Sequence, residues 1–324
     1  MDLTDALAAQ IRQADTPASR AAAERLREIY RSGAAPTELA LATQESALAY
    51  GAYRMPATYA AVRAALSMSP HEVLQSQAPA THLDLGGGTG AAVWAVHELW
   101  PEVTSRVFDA SEVALDLGRR VAARGDGQVA STSWERAHLG PTTILPSADL
   151  VTISYLLGEL ADATAAHLVD EALDKASLLL AIEPGTPRGH SAILAARARV
   201  IEAGWHLLAP CPHAHACPAV APDWCHFAVR LPRSATHRAL KGAERGFEDE
   251  KFSFVLAARS DDSQRGESGP APARVVRHPL QRKGLVQVRT CENDGLLHDR
   301  IVSKRQGEAY RRARDLTWGD TLNP

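Results

Sequence analysis

Leu83-Asp84-Leu85-Gly86-Gly87-Gly88-Thr89-Gly90 puts four glycines between a short apolar run and a helical pattern. Glycine there lets backbone approach a ligand closely, and the amides opening the next helix can hold an anionic group. The spacing is D-x-G-x-G-x-G, unlike the G-x-G-x-x-G of dinucleotide-binding folds. Nineteen residues after Gly90, Asp109 ends the next apolar run, where a carboxylate can accept both hydroxyls of a ribose. These residues predict a nucleotide-type ligand on Gly86, Gly88 and Gly90, with Asp84 and Asp109 as its polar partners.

A second group carries sulfur. Cys211, Cys217 and Cys225 fall within fifteen residues, and Cys291 follows after sixty-five intervening residues. No other cysteine exists in the chain, and such clustering in a long, reducing-compartment protein points to a metal and away from a disulfide scaffold. Thiolates suit zinc or an iron-sulfur cluster, and the spacing matches neither zinc ribbons nor ferredoxin runs. His213, His215 and His226 lie among them and would favour zinc if one replaced Cys291. A site joining Cys291 to the other three would clamp the C-terminal strands onto the body of the protein.

Positioning these groups requires a parallel sheet. Residues 1–75 read as Ala-rich helices punctuated by Pro36, Pro56 and Pro70. From Thr81, short apolar runs alternate with helical patterns, with strands expected at 82–85, 105–108, 150–154 and 178–182. Residues 205–233 read as an ordered or ligand-held loop ending in a strand at 227–231, and another strand is expected at 252–258. The stretch 260–270 reads as a surface excursion, 274–290 as strands around a Lys283-Gly284 turn, and 306–316 as a basic helix. The expected organisation is an α/β protein with a helical region (1–75), a Rossmann-like domain (76–204) and a cysteine-bearing basic lobe that completes the sheet (205–324). Tyr155, Glu159 and the turn Glu183-Pro184-Gly185-Thr186-Pro187 fall at strand ends, where open α/β folds bind ligands.

Net charge is −3, but the distribution is uneven. From His226 onward, 19 Lys and Arg face 13 Asp and Glu, so the first 225 residues are acidic and the remainder basic. Arg230, Arg233, Arg238, Lys241, Arg245, Lys251, Arg274, Arg277, Arg282, Lys283, Arg289, Lys304, Arg305, Arg311, Arg312 and Arg314 form a set able to neutralise a polyanion. His226 and Trp318 offer flat surfaces for an unpaired base. No run approaches the ~18 apolar residues of a membrane helix. The acidic start Met1-Asp2-Leu3-Thr4-Asp5 is unlike a secretory leader, so a cytoplasmic, monomeric protein is expected.

The glycine loop resembles the first motif of Rossmann-fold methyltransferases. That resemblance implies S-adenosylmethionine as cofactor, with Gly86, Gly88 and Gly90 around its methionine part and Asp84 reaching its amino end through the loop or water. Methyl transfer mostly needs orientation, so no fixed catalytic residue has to be visible. Base N-methyltransferases carry Asn or Asp, two prolines and an aromatic residue after the fourth strand, where this chain has Ser154-Tyr155-Leu156-Leu157-Gly158. Over about Tyr50 to Asp320 the chain resembles the methyltransferase-like small-ribosomal-subunit assembly family. The resemblance rests on Arg54-Met55-Pro56-Ala57-Thr58-Tyr59, Val93-Trp94-Ala95, Glu183-Pro184-Gly185-Thr186-Pro187, Cys211-Pro212-His213, Cys217-Pro218, Asp223-Trp224-Cys225-His226-Phe227, Glu248 to Phe254 and Ala313 to Asp320. It implies binding to the small ribosomal subunit and its rRNA. It also implies a four-iron four-sulfur (4Fe-4S) cluster on Cys211, Cys217, Cys225 and Cys291.

Overall fold

The computed structural model describes residues 1–11, 14, 16–32, 41–69, 71–76, 78–259 and 272–322. Five helices come first: α1 (Leu3–Ile11), α2 (Pro17–Ser32), α3 (Gln44–Tyr53), α4 (Met55–Ser67) and α5 (His71–Ser76). Thr43 caps α3 by accepting from the Ser46 amide, and Pro56 sits in the first turn of α4, where a missing N–H costs nothing. Pro36 and Pro70 lie outside the described residues.

The main sheet is built from β1 (Thr81–Leu85), β2 (Thr104–Asp109), β3 (Ser133–Arg136), β4 (Leu150–Ser154), β5 (Leu178–Pro184), β6 (His206–Ala209), β7 (Phe227–Pro232) and β8 (Phe247–Ala258). Its order is β3-β2-β1-β4-β5-β8-β6, with β7 also paired to β8. Strands β1 to β5 are parallel, whereas β8 runs antiparallel to β5 and carries β6 and β7 antiparallel to itself. This is a Rossmann-like methyltransferase fold on a mixed α/β sheet. Every residue of β4 is buried, as expected of a strand covered on both faces.

Between the strands run α6 (Ala91–Leu99), α7 (Glu112–Ala122), α8 (Asp162–Lys175), α9 (Pro187–Glu202) and α10 (Ala235–Lys241). One core joins α4 and α6 to Leu150, Leu180, Ile182, Phe227, Phe252 and Phe254; another joins α8 and α9 to Val151, Ile153, Leu179 and Val255. The first three helices pack on α7 through Leu7, Ile11, Leu26, Ala52 and Leu117.

A second sheet follows: β9 (Ala273–Val275), β10 (Leu280–Arg282), β11 (Leu285–Cys291), β12 (Leu297–Ser303) and β13 (Thr321–Leu322), ordered β10-β11-β9-β13 with β12 on β11. Helix α11 (Glu308–Asp315) lies on it, burying Ala313 against Val275, Val286 and Val288. Strands β3, β6, β12 and β13 escape the sequence reading. Strand β3 has a single half-buried residue, Trp134, and the last two strands are mostly polar or very short. The excursion expected at 260–270 lies outside the described residues.

Arg54, between α3 and α4, ties the helices to the sheet. Its two terminal nitrogens donate to Glu250 Oε2 and Oε1 at 3.1 and 3.2 Å, while Tyr155 OH donates to Glu250 Oε1 at 2.9 Å. The guanidinium lies over the Tyr155 ring, 5.1 Å from its centroid. Arg54 and Glu250 are only 18% and 12% exposed, so removing one partner strands a buried charge. Arg54→Met is expected to lower unfolding free energy by about 3 kcal/mol in a denaturant titration, and Arg54→Met with Glu250→Gln by less.

Candidate functional site

The glycine loop leaves the carboxyl end of β1 and enters α6. Gly86, Gly88 and Gly90 take φ of 64°, 51° and 77°, the left-handed region that L side chains resist. A Cβ on Gly90 would stand 2.5 Å from the Trp134 ring, and one on Gly87 would stand 2.3 Å from Asp84 Oδ2. Asp109 closes the loop from β2: its Oδ2 accepts from the Gly88 amide at 2.9 Å and its Oδ1 from the Ser111 amide at 2.7 Å. Asp84 lies fully buried beneath the loop, with Oδ1 accepting from Thr152 Oγ1 at 2.7 Å and Oδ2 unpartnered.

Other acids gather at the same rim. Burial pushes Asp84 up to about 7, Glu159 to about 7 and Glu183 to about 8, and burial also raises Asp109. The Asp109 charge adds to the shifts of Asp84 and Glu159. Tyr155, the non-glycine residue with positive φ (60°) among the described residues, sits where β4 ends. Its ring is held by Arg54 and Glu250, so it forms part of the rim beside Glu159. A surface of uncompensated carboxyls around left-handed amides suits a ligand that carries cationic groups and ribose hydroxyls.

The four cysteine thiols are free and line one cavity of about 40 Å³. Cys211, Cys217 and Cys225 come from the segment between β6 and β7, and Cys291 from the end of β11. Burial and neighbouring thiols hold the Cys225 thiol well above its usual range, and burial with Cys211 and Cys217 pushes Cys291 up to about 12. Among the described residues, however, no three His, Cys, Asp or Glu side chains stand close enough to hold one metal ion.

The histidines of this segment differ in use. His213 Nε2 stands 3.3 Å from Cys291 Sγ, while His226 bonds the Trp224 carbonyl and stacks on the Trp224 ring. Two residues missed in the sequence, His190 and Arg197, also line the cavity. His190 Nε2 lies 3.9 Å from Cys217 Sγ, and Arg197 donates through Nη2 to the His213 and His215 carbonyls at 2.6 and 2.9 Å. His190, Ile193, Leu194 and Arg197 follow helical spacing along α9, which could have flagged them. Arg274 donates to the carbonyls of Pro210, Gly319 and Met68, joining the cysteine segment, the chain end and α4.

Part of the basic set is structural. Arg274 is buried, Arg230 pairs with Asp249, Arg233 and Lys241 with Glu248, and Arg277 with Asp223. Trp318 is enclosed by His226 and His278 edge to face, each 4.9 Å away, so neither it nor His226 is an open platform. Exposed bases remain at one end of the second sheet. Arg282 and Lys283 adjoin Lys304 and Arg305, because the Lys304 amide donates to the Gly284 carbonyl at 2.8 Å, and Arg311 and Arg314 follow on α11.

The raised acids set a pH dependence. In the unfolded chain they ionise near their ordinary values, whereas the folded chain keeps them protonated to about 7 or 8. At these acids the folded state therefore binds more protons in this window, so their contribution to stability is lost as pH rises from about 4 to about 8, while the buried histidines His82, His97, His190, His213 and His226, with lowered pKa, act in the opposite sense. Calorimetry should show Glu183→Gln raising Tm relative to the unaltered protein by more at about pH 8 than at about pH 5.

The family model described as mitochondrial small ribosomal subunit Rsm22 matches residues 44–323. The mitochondrial ribosome assembly protein METTL17 of Homo sapiens is 28% identical over 300 residues, covering 86% of this chain and 63% of that protein. The mitochondrial Rsm22-cox11 tandem protein 2 of Schizosaccharomyces pombe is 29% identical over 180 residues, covering 44% of this chain and 24% of that protein. The chain thus spans about three fifths of the first relative and a quarter of the second. Human N-acetylserotonin methyltransferase in complex with SAM overlays at a TM-score of 0.41 with 16% identity, covering 74% of this chain and 66% of that one. The cytoplasmic placement expected from the acidic start is overturned, because the family description and both relatives are mitochondrial. With the match running from α3 to the end of the second sheet, the chain belongs to the Rsm22 family and is a methyltransferase-like homologue of a ribosome assembly protein.

Proposed function

We propose that this protein assists assembly of the small ribosomal subunit as a monomer in three parts: a helical region (1–75), a Rossmann-like domain (76–204) that binds S-adenosylmethionine, and a lobe (205–324) that holds a 4Fe-4S cluster and docks rRNA. The observation that carries this reading is the family match over residues 44–323, which takes in the glycine loop, the four cysteines and the basic sheet end together.

Two features favour the cluster. Four thiols from distant segments border one cavity, and thiolates are the ligands such a cluster takes. Arg197 and Arg274 are 5% and 6% exposed and form no ion pair among the described residues, where they donate to carbonyl oxygens. A buried cation needs an anion nearby, and a tetrathiolate centre carries net negative charge. When bound, the cluster supplies iron–sulfur bonds that cross-link the segments and a one-electron couple. Cys211, Cys217, Cys225 and Cys291 hold it, His213 and His190 adjoin its sulfurs, and Arg197 and Arg274 balance its charge.

On the RNA side, Arg282, Lys283, Lys304, Arg305, Arg311 and Arg314 meet phosphates, and neighbouring Leu285 and Ile301, 41% and 64% exposed, add apolar contact. A second reading, an active rRNA methyltransferase, is favoured by the loop geometry with Asp109 on the Gly88 amide. A mass-spectrometric map of rRNA modifications with and without the protein separates the two: unchanged modifications leave the assembly role alone.

Purified without oxygen, the protein is expected to contain about four iron and four sulfide per chain, and Cys291→Ser to lose most of both. Stoichiometric zinc with no iron contradicts the cluster. Replacing Lys283, Lys304 and Arg305 together by alanine is expected to weaken co-sedimentation with immature small subunits about tenfold or more and to reduce the salt slope of rRNA binding by about three.

A further inference from the structure

Beneath the glycine loop, a line of side chains crosses the core without touching water. Asp84 Oδ1 stands 2.7 Å from Thr152 Oγ1, which stands 2.8 Å from His82 Nε2. His82 Nδ1 is 3.0 Å from Ser105 Oγ, and Ser105 Oγ is 3.1 Å from His97 Nε2 on α6. Burial lowers the basicity of the His97 ring, and the neighbouring Pro101 backbone works against that shift. All five members are buried, His97 being the most accessible at 7%.

The hydrogens in this line are not independent. Each hydroxyl has a single hydrogen to donate. If His82 and His97 are both neutral and His97 carries its hydrogen on Nδ1, Ser105 donates to His97 Nε2, His82 Nδ1–H donates to Ser105, and Thr152 donates to His82 Nε2. Thr152 then accepts from Asp84, whose carboxyl must hold a proton. If Asp84 is ionised, every bond reverses: Thr152 donates to Asp84, His82 Nε2–H to Thr152, Ser105 to His82 Nδ1, and His97 Nε2–H to Ser105. His97 is then an imidazolium while it keeps its Nδ1 hydrogen, and at high pH, burial having lowered its basicity, it releases that hydrogen to solvent and stays as the neutral Nε2–H tautomer. The conversion breaks the Asp84 O–H bond and forms one N–H bond at His97, each intermediate group passing on one hydrogen and receiving another.

We infer that Thr152, His82, Ser105 and His97 are positioning residues that hold one mobile proton for Asp84, keeping its carboxyl neutral under an empty glycine loop and taking the proton away when a cationic ligand settles there. The ligand part of this inference rests on the proposed binding of S-adenosylmethionine, whose ammonium group favours an ionised Asp84. Burial raises Asp84 to about 7 and lowers His82 to about 3, so the proton lies on the carboxyl in mildly acidic solution. The charged group facing Asp84 from β2 is Asp109, which resists its ionisation; His97 faces His82 from α6 and disfavours a second charge there. Asp84 Oδ2 has no partner and lies against Gly87, so a charge change at this carboxyl acts directly on the loop.

The test is nitrogen-15 NMR of the imidazole rings in the full chain. Without ligand, His82 is expected to be the Nδ1–H tautomer at about pH 6 and the Nε2–H tautomer at about pH 9, remaining neutral throughout. Thr152→Val removes the link and should abolish this switch. Should that variant not fold, Asp84→Asn, which cannot ionise, is expected to hold one tautomer at both pH values. A single His82 tautomer at both pH values in the unaltered protein overturns the relay. Adding S-adenosylmethionine at about pH 6 should produce the high-pH tautomer with no change of pH. A relay that switches with pH and ignores the ligand leaves the wiring standing and removes the donor from the reading of the loop.

Discussion

Charge removed from water must be matched where it sits, and around the cysteine cavity this constraint holds the two sheets of the molecule together. Arg197 on α9 and Arg274 on β9 both line the cavity, each buried and each bonded to carbonyl oxygens among the described residues, with the Arg197 Nε left without a partner there. Carbonyls answer the hydrogen bonds of a guanidinium but do not cancel its charge. The thiols of Cys217, Cys225 and Cys291, held neutral by burial and neighbouring thiols, cannot cancel it either. The proposed anionic tetrathiolate centre would cancel it and would cross-link the segment 211–225 to β11.

The cofactor rim and the cysteine cavity share supports. Glu183 ends β5 at the rim, and α9, three residues later, turns His190 and Arg197 toward the thiols. Trp224 Nε1 donates to the Gly185 carbonyl at 2.9 Å, and Ser253 Oγ on β8 donates to the Cys225 carbonyl at 2.7 Å. A shift of α9 or β8 is therefore felt at both places, which gives a route by which the state of the metal segment bears on the glycine loop.

What the sequence disclosed follows from where the physics is local. The glycine loop was readable because left-handed φ at Gly86, Gly88 and Gly90 demands that residue type, and β4 because two-sided burial leaves an uninterrupted apolar run. Asp109 was placed at the loop by spacing, although its grip on the Gly88 amide was not foreseen. Strand β6 was read as loop because its residues are only half buried and its partner β8 comes some forty residues later. The convergence of four cysteines on one cavity was anticipated, while Arg197 and Arg274 were hidden among basic residues whose role only three-dimensional context reveals. Arg274 was counted toward an RNA surface, and burial places it instead at the centre of the structure. Trp318 was misjudged for a similar reason: its aromatic neighbours His226 and His278 lie far from it in sequence.

The central claim is that an inorganic centre on the four cysteines fastens the second sheet to the first. Hydrogen–deuterium exchange on the anaerobically purified protein, before and after removal of that centre by a chelator, tests it directly. The account predicts faster exchange across 211–225 and 273–322 after removal, with β1, β4 and β5 remaining protected. Exchange that is unchanged, or that rises equally through the whole chain, would contradict it.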